Sequence, residues 1–305
     1  MINVLLADTL SQKAVEFLKE IPEFEIIVKT GMGVDQLKEE IKNYEALVLS
    51  SVSSLQLNRD VLEKADRLKI IIKTGVGFDH IDTEFADSRH IEVRNTPFAT
   101  SITVAEYTLA QMLGICRFIG PAYMSMKNHR WEKKIFTQGT ELYGKTAGII
   151  GMGRIGTEVA KRQLAMGMSV LYYDIVDVET DLDARQVPLD ELLKSADFIS
   201  VHLPLTPSTR NLISHDAFAK MKAGVVFVNV ARGGVVDEVA LLEALQGDKI
   251  RAVALDVYPE VPLKNFSLID NDKVYPAPHL AACTVEANLR ADFDVIAILK
   301  EFFNV

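Results

Sequence analysis

Three glycines and one aspartate are spaced so that they can bind a phosphate-linked ligand. Gly151, Gly153 and Gly156 follow the apolar run 147–150 and open a helical pattern, and Asp174 ends the next apolar run. The first glycine permits a tight turn, the second lets backbone approach a pyrophosphate, and the third lets the helix pack closely on the sheet. An ordinary glycine-rich turn is the alternative. Dinucleotide binding is favoured because a strand precedes the glycines, a helix follows them, and an acid ends the next strand.

The acid also indicates which dinucleotide is bound. A carboxylate at Asp174 can accept hydrogen bonds from ribose hydroxyls, and its charge would repel a 2′-phosphate. The next basic side chain, Arg185, lies well downstream. The sequence therefore predicts NAD rather than NADP as the cofactor.

Two polar residues that follow apolar segments are the candidates for catalysis. Arg232 lies between Asn229 and two glycines, where a guanidinium can clamp a carboxylate in a bidentate fork; pairing with a protein carboxylate is the alternative. His279 follows a proline-stiffened segment and precedes small residues, so it is the best acid or base among the six histidines. The alternative for His279 is an imidazole that forms hydrogen bonds only with nearby backbone groups. His202, at the end of another apolar run, is positioned to contact the cofactor.

Other polar positions carry weaker signals. The glycines of 75–77 can form a backbone nest for a carboxylate or a plain turn, and the two interpretations are about even. Asp256 lies inside an apolar run predicted as a strand over 252–257, and a buried carboxylate needs partners. Asp82 is interpreted as a helix cap rather than a catalyst.

These residues require elements that place them at strand ends. Strand and helix patterns alternate through 1–98, a hinge candidate lies at 95–103, and a second alternating array follows. Such alternation predicts parallel sheets covered by helices on both faces, with ligands beyond the carboxyl ends of the strands. The strands predicted for the second array are 147–150, 169–173, 198–203, 225–230, 252–257 and a short one near Val274.

Helical spacing predicts the remaining elements of the second half. A long helix capped by Ser101 or Thr103 runs to about Arg117, and another runs from Pro121 to about Trp131. Shorter helices are predicted over 189–195, 215–220 and 238–246. The last helix, 284–303, is predicted to bury one stripe formed by Val285, Leu289, Phe293, Ile296 and Ala297.

Composition limits the classes of function. A formal charge of −9 without a basic run argues against nucleic acid or anionic membranes as partners. Two cysteines, Cys116 and Cys283, give no disulfide framework or metal pattern, and both are interpreted as packed small residues. We expect a cytoplasmic protein without a signal peptide or transmembrane segment, and no bound metal.

Seven segments together resemble the D-isomer-specific 2-hydroxyacid dehydrogenases, a family that includes phosphoglycerate dehydrogenase. The resemblance spans nearly the whole chain, and the combination of segments is very specific. The segments are TGVGFDHID (74–82), NTPFATSITVAEYTLAQML (95–113), GIIGMGRIG (148–156), HLPLTPSTRNLI (202–213), MKAGVVFVNVARGGVVDEVALLEAL (221–245), ALDVYPEVPL (254–263) and APHLAACTVEA (277–287).

The resemblance implies two Rossmann- or flavodoxin-like parallel-sheet domains. The substrate domain would be discontinuous, 1–98 plus 284–305, and the NAD-binding domain would cover 99–283. Helices of 103–145 would form a homodimer contact. The family chemistry interconverts a D-2-hydroxy acid and its 2-oxo acid by hydride transfer with NAD.

The family also implies roles for individual residues. Arg232 would bind the substrate carboxylate and carbonyl, and His279 would exchange the proton. Ser53 and the backbone of Val76 and Gly77 would hold the substrate, and Asp256 would meet the nicotinamide carboxamide. The cofactor would contact Val104, Gly151, Gly153, Arg154, Ile155, Gly156, Asp174, His202, Leu203, Pro204, Thr209, Val230, Ala231, Arg232, Asp256, His279 and Ala281.

The chain departs from the family at the acid that supports the catalytic histidine. The family places a glutamate five residues after the strand aspartate and just before a proline, whereas here that position is Val261 and Glu260 is one residue early. A one-residue slip in an extended segment turns a side chain to the other face. Either a bulge lets Glu260 reach His279, or the partner acid is absent; the two are about even.

The expected substrate is a small, unphosphorylated 2-oxo acid. Phosphoglycerate dehydrogenases carry an arginine before the serine that follows the third strand, and the aligned residues here are Val52, Ser53 and Ser54. D-3-phosphoglycerate is an alternative, because Lys73 or Arg59 can supply charge for a phosphorylated substrate. A weakly active NAD(H)-sensing interaction protein, supported by the displaced glutamate, is a second alternative.

Overall fold

The chain folds into two compact units in the computed structural model, which describes residues 1–51, 53 and 55–305. Val52 and Ser54, on which the substrate prediction depends, lie outside the described residues. The first unit comprises Met1–Thr100 with Cys283–Val305, and the second comprises Ser101–Ala282. Each unit is built on its own parallel sheet, which confirms the predicted fold class.

The sheet of the first unit has the strand order β2-β1-β3-β4-β5, and all described pairs are parallel. This order is that of flavodoxin-like folds. Its strands are β1 Ile2–Leu6, β2 Phe24–Val28, β3 Ala46–Leu49, β4 Ile70–Lys73 and β5 Glu92–Asn95. Its helices are α1 Gln12–Lys19, α2 Val34–Glu40, α3 Arg59–Leu62, α4 Thr83–Ser88 and the final helix of the chain, α11 Val285–Phe303. The Asp82 side chain accepts from the Phe85 N–H at 3.0 Å, so its prediction as a helix cap is confirmed.

The final helix packs on the sheet of the first unit, but its buried stripe differs from the predicted one at most positions. Val285 and Phe293 are 73% and 41% exposed, and Ala297 is also exposed. The predicted Ile296 is buried, together with Ala287, Ala291, Val295 and Leu299. Of these, Val295, Ile296 and Leu299 pack in the hydrophobic cluster of the first sheet. The predicted and the observed stripes both have helical spacing. The hydrophobic pattern of the sequence therefore did not determine which face of the helix the sheet covers.

The sheet of the second unit has seven parallel strands in the order β12-β11-β10-β9-β6-β7-β8. They are β6 Thr146–Ile150, β7 Ser169–Tyr173, β8 Ala184–Gln186, β9 Phe198–Val201, β10 Val225–Asn229, β11 Ile250–Leu255 and β12 Val274–Pro276. Strand β8 was not predicted, because it is short and polar. The helices are α5 Ser101–Cys116, α6 Ile119–Lys127, α7 Arg154–Ala165, α8 Leu189–Ser195, α9 His215–Lys220 and α10 Glu238–Gln246.

The central strands of this sheet are buried on both faces. In β10, Phe227 packs in the hydrophobic cluster on one side, and Val226 and Val228 pack in the cluster on the other. Such strands are continuous apolar runs because helices cover both faces of a parallel sheet. The strands follow β6 in chain order towards one edge of the sheet and follow β9 in chain order towards the other, so the switch point lies between β6 and β9. In open parallel sheets, ligands bind beside the loops at the carboxyl ends of the strands next to this switch point.

Several predicted boundaries were wrong by a few residues. Helix α5 begins at Ser101, so Ser101 and Thr103 lie within it rather than before it, and α6 ends at Lys127, short of Trp131. The strand β11 ends at Leu255, which places Asp256 in the following loop and not inside a strand. Cys283 is exposed, contrary to the expectation of a packed residue, whereas Cys116 is buried.

Two further features bear on possible functions. None of the helices formed by the described residues combines the length and the apolar character needed to cross a bilayer. Residues 1–51, 53 and 55–305 also contain no group of three or more His, Cys, Asp or Glu side chains placed to hold a metal ion.

Candidate active site at the carboxyl edge of the second sheet

The glycine-rich turn joins β6 to α7 and depends on two close backbone approaches. Gly151 has a φ of 98°, in the left-handed region, and a Cβ there would lie 2.9 Å from the carbonyl oxygen of His202. A Cβ on Gly156 would overlap the carbonyl oxygen of Gly151. The first turn of α7 therefore packs directly on the turn, as the spacing predicted.

The middle glycine of the motif faces open space. Gly153 is the residue that precedes α7, and a Cβ added to it would meet no heavy atom within 4 Å. The first N–H groups of a helix lack partners within that helix and carry partial positive charge. This open position at the N-terminus of a 12-residue helix fits the pyrophosphate of a dinucleotide.

Asp174 follows β7 and holds the glycine-rich turn in place. Its carboxylate accepts hydrogen bonds from the backbone N–H groups of Met152 and Ile175, each at 2.8 Å. The bond to Met152 was not foreseen, because it joins residues 22 positions apart. An ionised carboxylate has about four lone-pair sites, so Asp174 retains capacity to accept from ribose hydroxyls.

Replacing Asp174 by asparagine is expected to weaken the preference for NAD over NADP by about tenfold, which corresponds to roughly 1.4 kcal/mol. Asparagine keeps the shape and one acceptor oxygen but removes the charge that repels a 2′-phosphate. Fluorescence titration with NADH and NADPH measures the ratio of the two dissociation constants. Asp177→Asn, an exposed position three residues further on, is the matched control. An unchanged ratio in the Asp174 variant would show that this carboxylate does not select the cofactor.

His202 lies directly after β9, beside the turn. Its Nε2 is 2.9 Å from Ser200 Oγ, whereas Nδ1 is shielded from solvent and has no hydrogen-bond partner among the described residues. The residue as a whole is half-buried, but the proton is exchanged at the ring nitrogens, which lie inside the protein. Burial of the imidazole lowers the pKa of His202 to about 3. The imidazole is therefore neutral at physiological pH, and it contributes no charge to cofactor binding.

The loop that carries Arg232 is held by Asn229, the last residue of β10. Asn229 Oδ1 accepts from the Ala231 N–H at 3.1 Å, and Asn229 Nδ2 donates to the Arg232 carbonyl at 3.1 Å. Arg232 is half-buried, and its Nη1 donates to the Ala231 carbonyl at 2.8 Å. The sequence suggested a tight loop here, and the two amide bonds of Asn229 are the reason for it.

The following glycine locks this loop against the next one. A Cβ on Gly233 would overlap the backbone of Tyr258, which lies in the segment after β11. Only glycine permits this approach, so the arginine loop and the segment after β11 are in direct backbone contact. This long-range contact could not be predicted from the sequence.

His279 lies in the loop after β12 and is exposed, with a φ of 57°. Non-glycine residues rarely adopt this left-handed conformation, although histidine tolerates it better than most. The two residues that follow, Leu280 and Ala281, donate their backbone N–H groups to the two carboxylate oxygens of Asp256, at 2.7 and 2.8 Å. Asp256 thus anchors the backbone immediately after the histidine.

Asp256 is 1% exposed and is the most deeply buried carboxylate of this edge of the sheet. Burial raises the pKa of Asp256, and the N–H groups of Ala281 and Leu280, the nearby His279 and the hydroxyl of Tyr107 act in the opposite direction. Tyr107 belongs to α5, and burial together with the charge of Asp256 raises the pKa of its phenol. No sequence pattern connected Tyr107 to this site.

The segment that contains the displaced glutamate is exposed. Glu260 forms an ion pair with Lys264, four residues further along, and its side chain is 58% exposed. Val261, at the position where the family has its glutamate, is 73% exposed. Glu260 is thus paired with Lys264 in this structure.

The other predicted cofactor residues occupy several environments in the second unit. Most lie in the loops after β6, β9 and β10, and Thr209 Oγ1 donates to the Pro204 carbonyl at 2.6 Å, which closes the loop after β9. Val104, in α5, is only 5% exposed and packs in the core, and Ala281 is 2% exposed. The remaining residues of this set are Arg154, Ile155, Leu203, Val230 and Ala231.

The predicted substrate residues other than Arg232 belong to the first unit. Val76 is exposed and Gly77 half-buried in the loop after β4, and neither backbone N–H donates to another group among the described residues. The loop is stabilised by Asn95, whose Nδ2 donates to the Val76 carbonyl at 2.6 Å. Ser53 is buried, and its Oγ accepts from the Leu55 N–H at 3.4 Å. Consecutive N–H groups in one turn can bind an anion when they point to the same side.

Comparisons with known proteins agree with the class of protein that this site indicates. Residues 109–281 match the profile of the NAD-binding domain of D-isomer specific 2-hydroxyacid dehydrogenases. A D-3-phosphoglycerate dehydrogenase of Methanocaldococcus jannaschii is 44% identical over 99% of this chain and 57% of its own length. A hydroxypyruvate reductase of Thermotoga maritima is 42% identical over 96% of both chains. The structure of an Aquifex aeolicus D-lactate dehydrogenase with NAD and lactic acid superimposes with a TM-score of 0.86 at 31% identity, covering 99% of this chain and 95% of that one.

The second unit is thus an NAD-binding domain of the dehydrogenase type. The chain belongs to the D-isomer specific 2-hydroxyacid dehydrogenase family, as its motifs predicted. It spans little more than half the length of the D-3-phosphoglycerate dehydrogenases that it matches.

Proposed function

We propose that the chain catalyses the NAD-dependent interconversion of a small D-2-hydroxy acid and its 2-oxo acid. The observation that carries this proposal is the placement of Arg232 and His279 after β10 and β12, at the edge of the sheet that carries the glycine-rich turn. Asp256 follows β11, the strand between those two. A cation, an imidazole and a buried carboxylate are therefore provided by three adjacent strands of the NAD-binding sheet.

Arg232 and His279 supply different parts of the chemistry. Bound NADH supplies the hydride that reduces the keto carbon. As negative charge develops on the carbonyl oxygen, protonated His279 donates a proton to it, and the guanidinium of Arg232 orients and stabilises the same oxygen. Arg232 also holds the substrate carboxylate, which a guanidinium can bind through two parallel hydrogen bonds.

We propose that residues 1–98 with 284–305 form the substrate domain and that 99–283 form the NAD-binding domain. In the first of these, the free N–H groups of Val76 and Gly77 and the hydroxyl of Ser53 would recognise the substrate. The available donors in the loop after β4 support this assignment.

An unphosphorylated substrate is favoured over a phosphorylated one. The sequence has no arginine at 52–54, where phosphoglycerate dehydrogenases carry one. The hydroxypyruvate reductase relative matches this chain over 96% of both lengths. D-3-phosphoglycerate dehydrogenase is the second candidate, because relatives with that name are 44% identical and because Lys73, at the end of β4, provides a cation.

A panel of 2-oxo acids separates these candidates. Oxidation of NADH is followed with glyoxylate, pyruvate, hydroxypyruvate and 3-phosphohydroxypyruvate. We expect the highest kcat/KM with an unphosphorylated acid, and a preference for 3-phosphohydroxypyruvate would establish the second candidate. Binding of NADH without turnover of any of the four would support the NAD(H)-sensing alternative and would contradict the proposed enzyme.

We also propose a homodimer formed through helices of 103–145. Large apolar side chains are exposed in this region of the second unit, which is unusual for a surface that faces only water. They include Ile119, Tyr123, Met124, Trp131 and Ile135, which are 54–80% exposed. Sedimentation at micromolar concentration tests this assignment, and a monomer would contradict it.

A cytoplasmic location is the proposal that fits the two cysteines. Cys116 and Cys283 do not form a disulfide with each other, as expected in a reducing compartment. Fractionation of cells that express the protein would contradict this proposal if the protein were recovered outside the cytoplasm.

A further inference from the structure

We propose that Asn229 is a positioning residue whose carboxamide sets the direction of the Arg232 guanidinium. This role rests on the proposed function, because Arg232 is the group that is proposed to bind the substrate carboxylate. The role concerns the charged end of the side chain, and so goes beyond the shape of the loop.

The carboxamide of Asn229 holds the backbone on both sides of the arginine side chain. Its Oδ1 accepts from the Ala231 N–H, and its Nδ2 donates to the Arg232 carbonyl, each at 3.1 Å. The first bond fixes the peptide unit that precedes Ala231, and the second fixes the peptide unit that follows Arg232. The backbone from which the arginine side chain leaves is therefore held at both ends by one amide group.

The guanidinium is tied to this same piece of backbone. Nη1 of Arg232 donates to the Ala231 carbonyl at 2.8 Å, so the side chain turns back along its own main chain. A guanidinium carries five N–H donors in a rigid planar fork, and a bond at one corner helps to orient the others. The direction in which Arg232 presents donors to a carboxylate thus depends on where the Ala231 carbonyl lies.

A buried asparagine suits this task because one side chain must provide both a donor and an acceptor. Asn229 is 1% exposed, so its two bonds are shielded from exchange with water. Its own carbonyl accepts from the Asp256 N–H at 3.0 Å, which joins the end of β10 to the segment after β11. The far end of the loop is held differently, because Gly233 lies directly against the backbone of Tyr258.

Loss of the carboxamide should loosen the arginine without dismantling the loop. The Arg232 carbonyl also accepts from the Val235 N–H at 3.3 Å, and the Gly234 carbonyl accepts from the Asn211 N–H at 2.9 Å. Neither of these bonds involves the Asn229 side chain. The Ala231 N–H, in contrast, would lose the acceptor that it has in the wild-type protein.

The test compares Asn229→Leu with the wild-type protein by NMR, first without substrate or cofactor. Leucine has a similar branched shape but neither a donor nor an acceptor. Hydrogen exchange at the Ala231 amide is expected to accelerate by about tenfold, the effect of one lost hydrogen bond. The order parameter of the Arg232 Nε–H bond is expected to fall below about 0.6, the range of flexible groups.

Turnover gives a second measurement on the same variant. The KM for the best 2-oxo acid is expected to rise more than kcat falls, because a displaced guanidinium weakens the hold on the substrate carboxylate. Together these changes should lower kcat/KM by about 10- to 100-fold, as expected when a binding group is misplaced by about 1 Å. The dissociation constant of NADH should stay within about twofold of the wild-type value.

Gln163→Leu is the matched control, because it replaces another buried carboxamide of the second unit by leucine. Gln163 lies in α7, and its Nε2 donates to Met112 Sδ at 3.6 Å. This variant is expected to retain the wild-type exchange at Ala231, the wild-type order parameter of Arg232 and the wild-type KM. If it loosened Arg232 as much as Asn229→Leu does, the effect would be a general one and the proposal would be overturned.

The outcomes separate this proposal from the proposed function. An Asn229→Leu protein in which Arg232 keeps its wild-type order parameter overturns the proposal whatever the activity, because other contacts then hold the guanidinium. If the NMR changes occur but the wild-type protein reduces no 2-oxo acid, the enzyme is contradicted and the positioning role stands. If Asn229→Leu does not fold, Asn229→Ser takes its place, because one short hydroxyl cannot replace both bonds. An unchanged Arg232 order parameter in that variant likewise rejects the proposal.

Discussion

Replacing His279 by asparagine is expected to lower kcat/KM for 2-oxo acid reduction by about 10²- to 10⁴-fold, the usual contribution of a general acid. Asparagine suits this test because it tolerates the left-handed backbone conformation of the position, where φ is 57°. The side chain is exposed, so the free energy of unfolding should change little. The loss is therefore expected in the chemical step, with the dissociation constant of NADH, measured by fluorescence, within about twofold of the wild-type value.

His90→Asn is the matched control for this variant. His90 is also exposed and has a φ of 59°, so the same substitution is made in the same backbone conformation in the first unit. Its kcat/KM should equal that of the wild type. Retention of more than about a tenth of the activity by His279→Asn would remove this imidazole from the role of proton donor, since even modest general acids contribute more.

The elements that the sequence predicted best are those with strong local signals. The helices Leu189–Ser195, His215–Lys220 and Glu238–Gln246 and the strand Ser169–Tyr173 have the predicted bounds. Apolar periodicity and turn residues within a few positions define such segments. The glycine motif is also local, because the turn, the helix start and the close packing all lie within six residues. For these reasons the glycine-rich turn and the elements around it were predictable from the sequence.

The parts that escaped prediction depend on contacts between distant residues. The bonds from Asp256 to the loop after His279 span 24 and 25 positions, and the contact between Gly233 and Tyr258 likewise joins separate loops. No local pattern encodes which two strand ends become neighbours. The pairing of Glu260 with Lys264 joins residues only four positions apart, but the segment around Pro262 is not a helix. Helical spacing therefore gave no reason to predict this ion pair.

Alanine at the second and third glycines of the motif should separate cofactor binding from folding. At Gly153 the added Cβ meets nothing within 4 Å and φ is −72°, so the free energy of unfolding should stay within about 0.5 kcal/mol of the wild type. The open space is the proposed place of the pyrophosphate, so affinity for NADH should fall tenfold or more, a change of roughly 1.4 kcal/mol. Thermal unfolding with and without NADH measures both quantities in one experiment.

At Gly156 the same methyl group is expected to damage the protein itself. The added Cβ would lie 2.1 Å from the carbonyl oxygen of Gly151, a backbone atom that cannot move away as the end of a flexible side chain could. Overpacking of this kind costs about 1–3 kcal/mol, so Gly156→Ala should unfold at lower temperature and also lose NADH binding. If Gly153→Ala instead bound NADH normally, the pyrophosphate would have to lie elsewhere, whereas a stable Gly156→Ala would show that α7 can shift away from the turn. The two alanines therefore distinguish the glycine that a cofactor needs from the glycine that the fold needs.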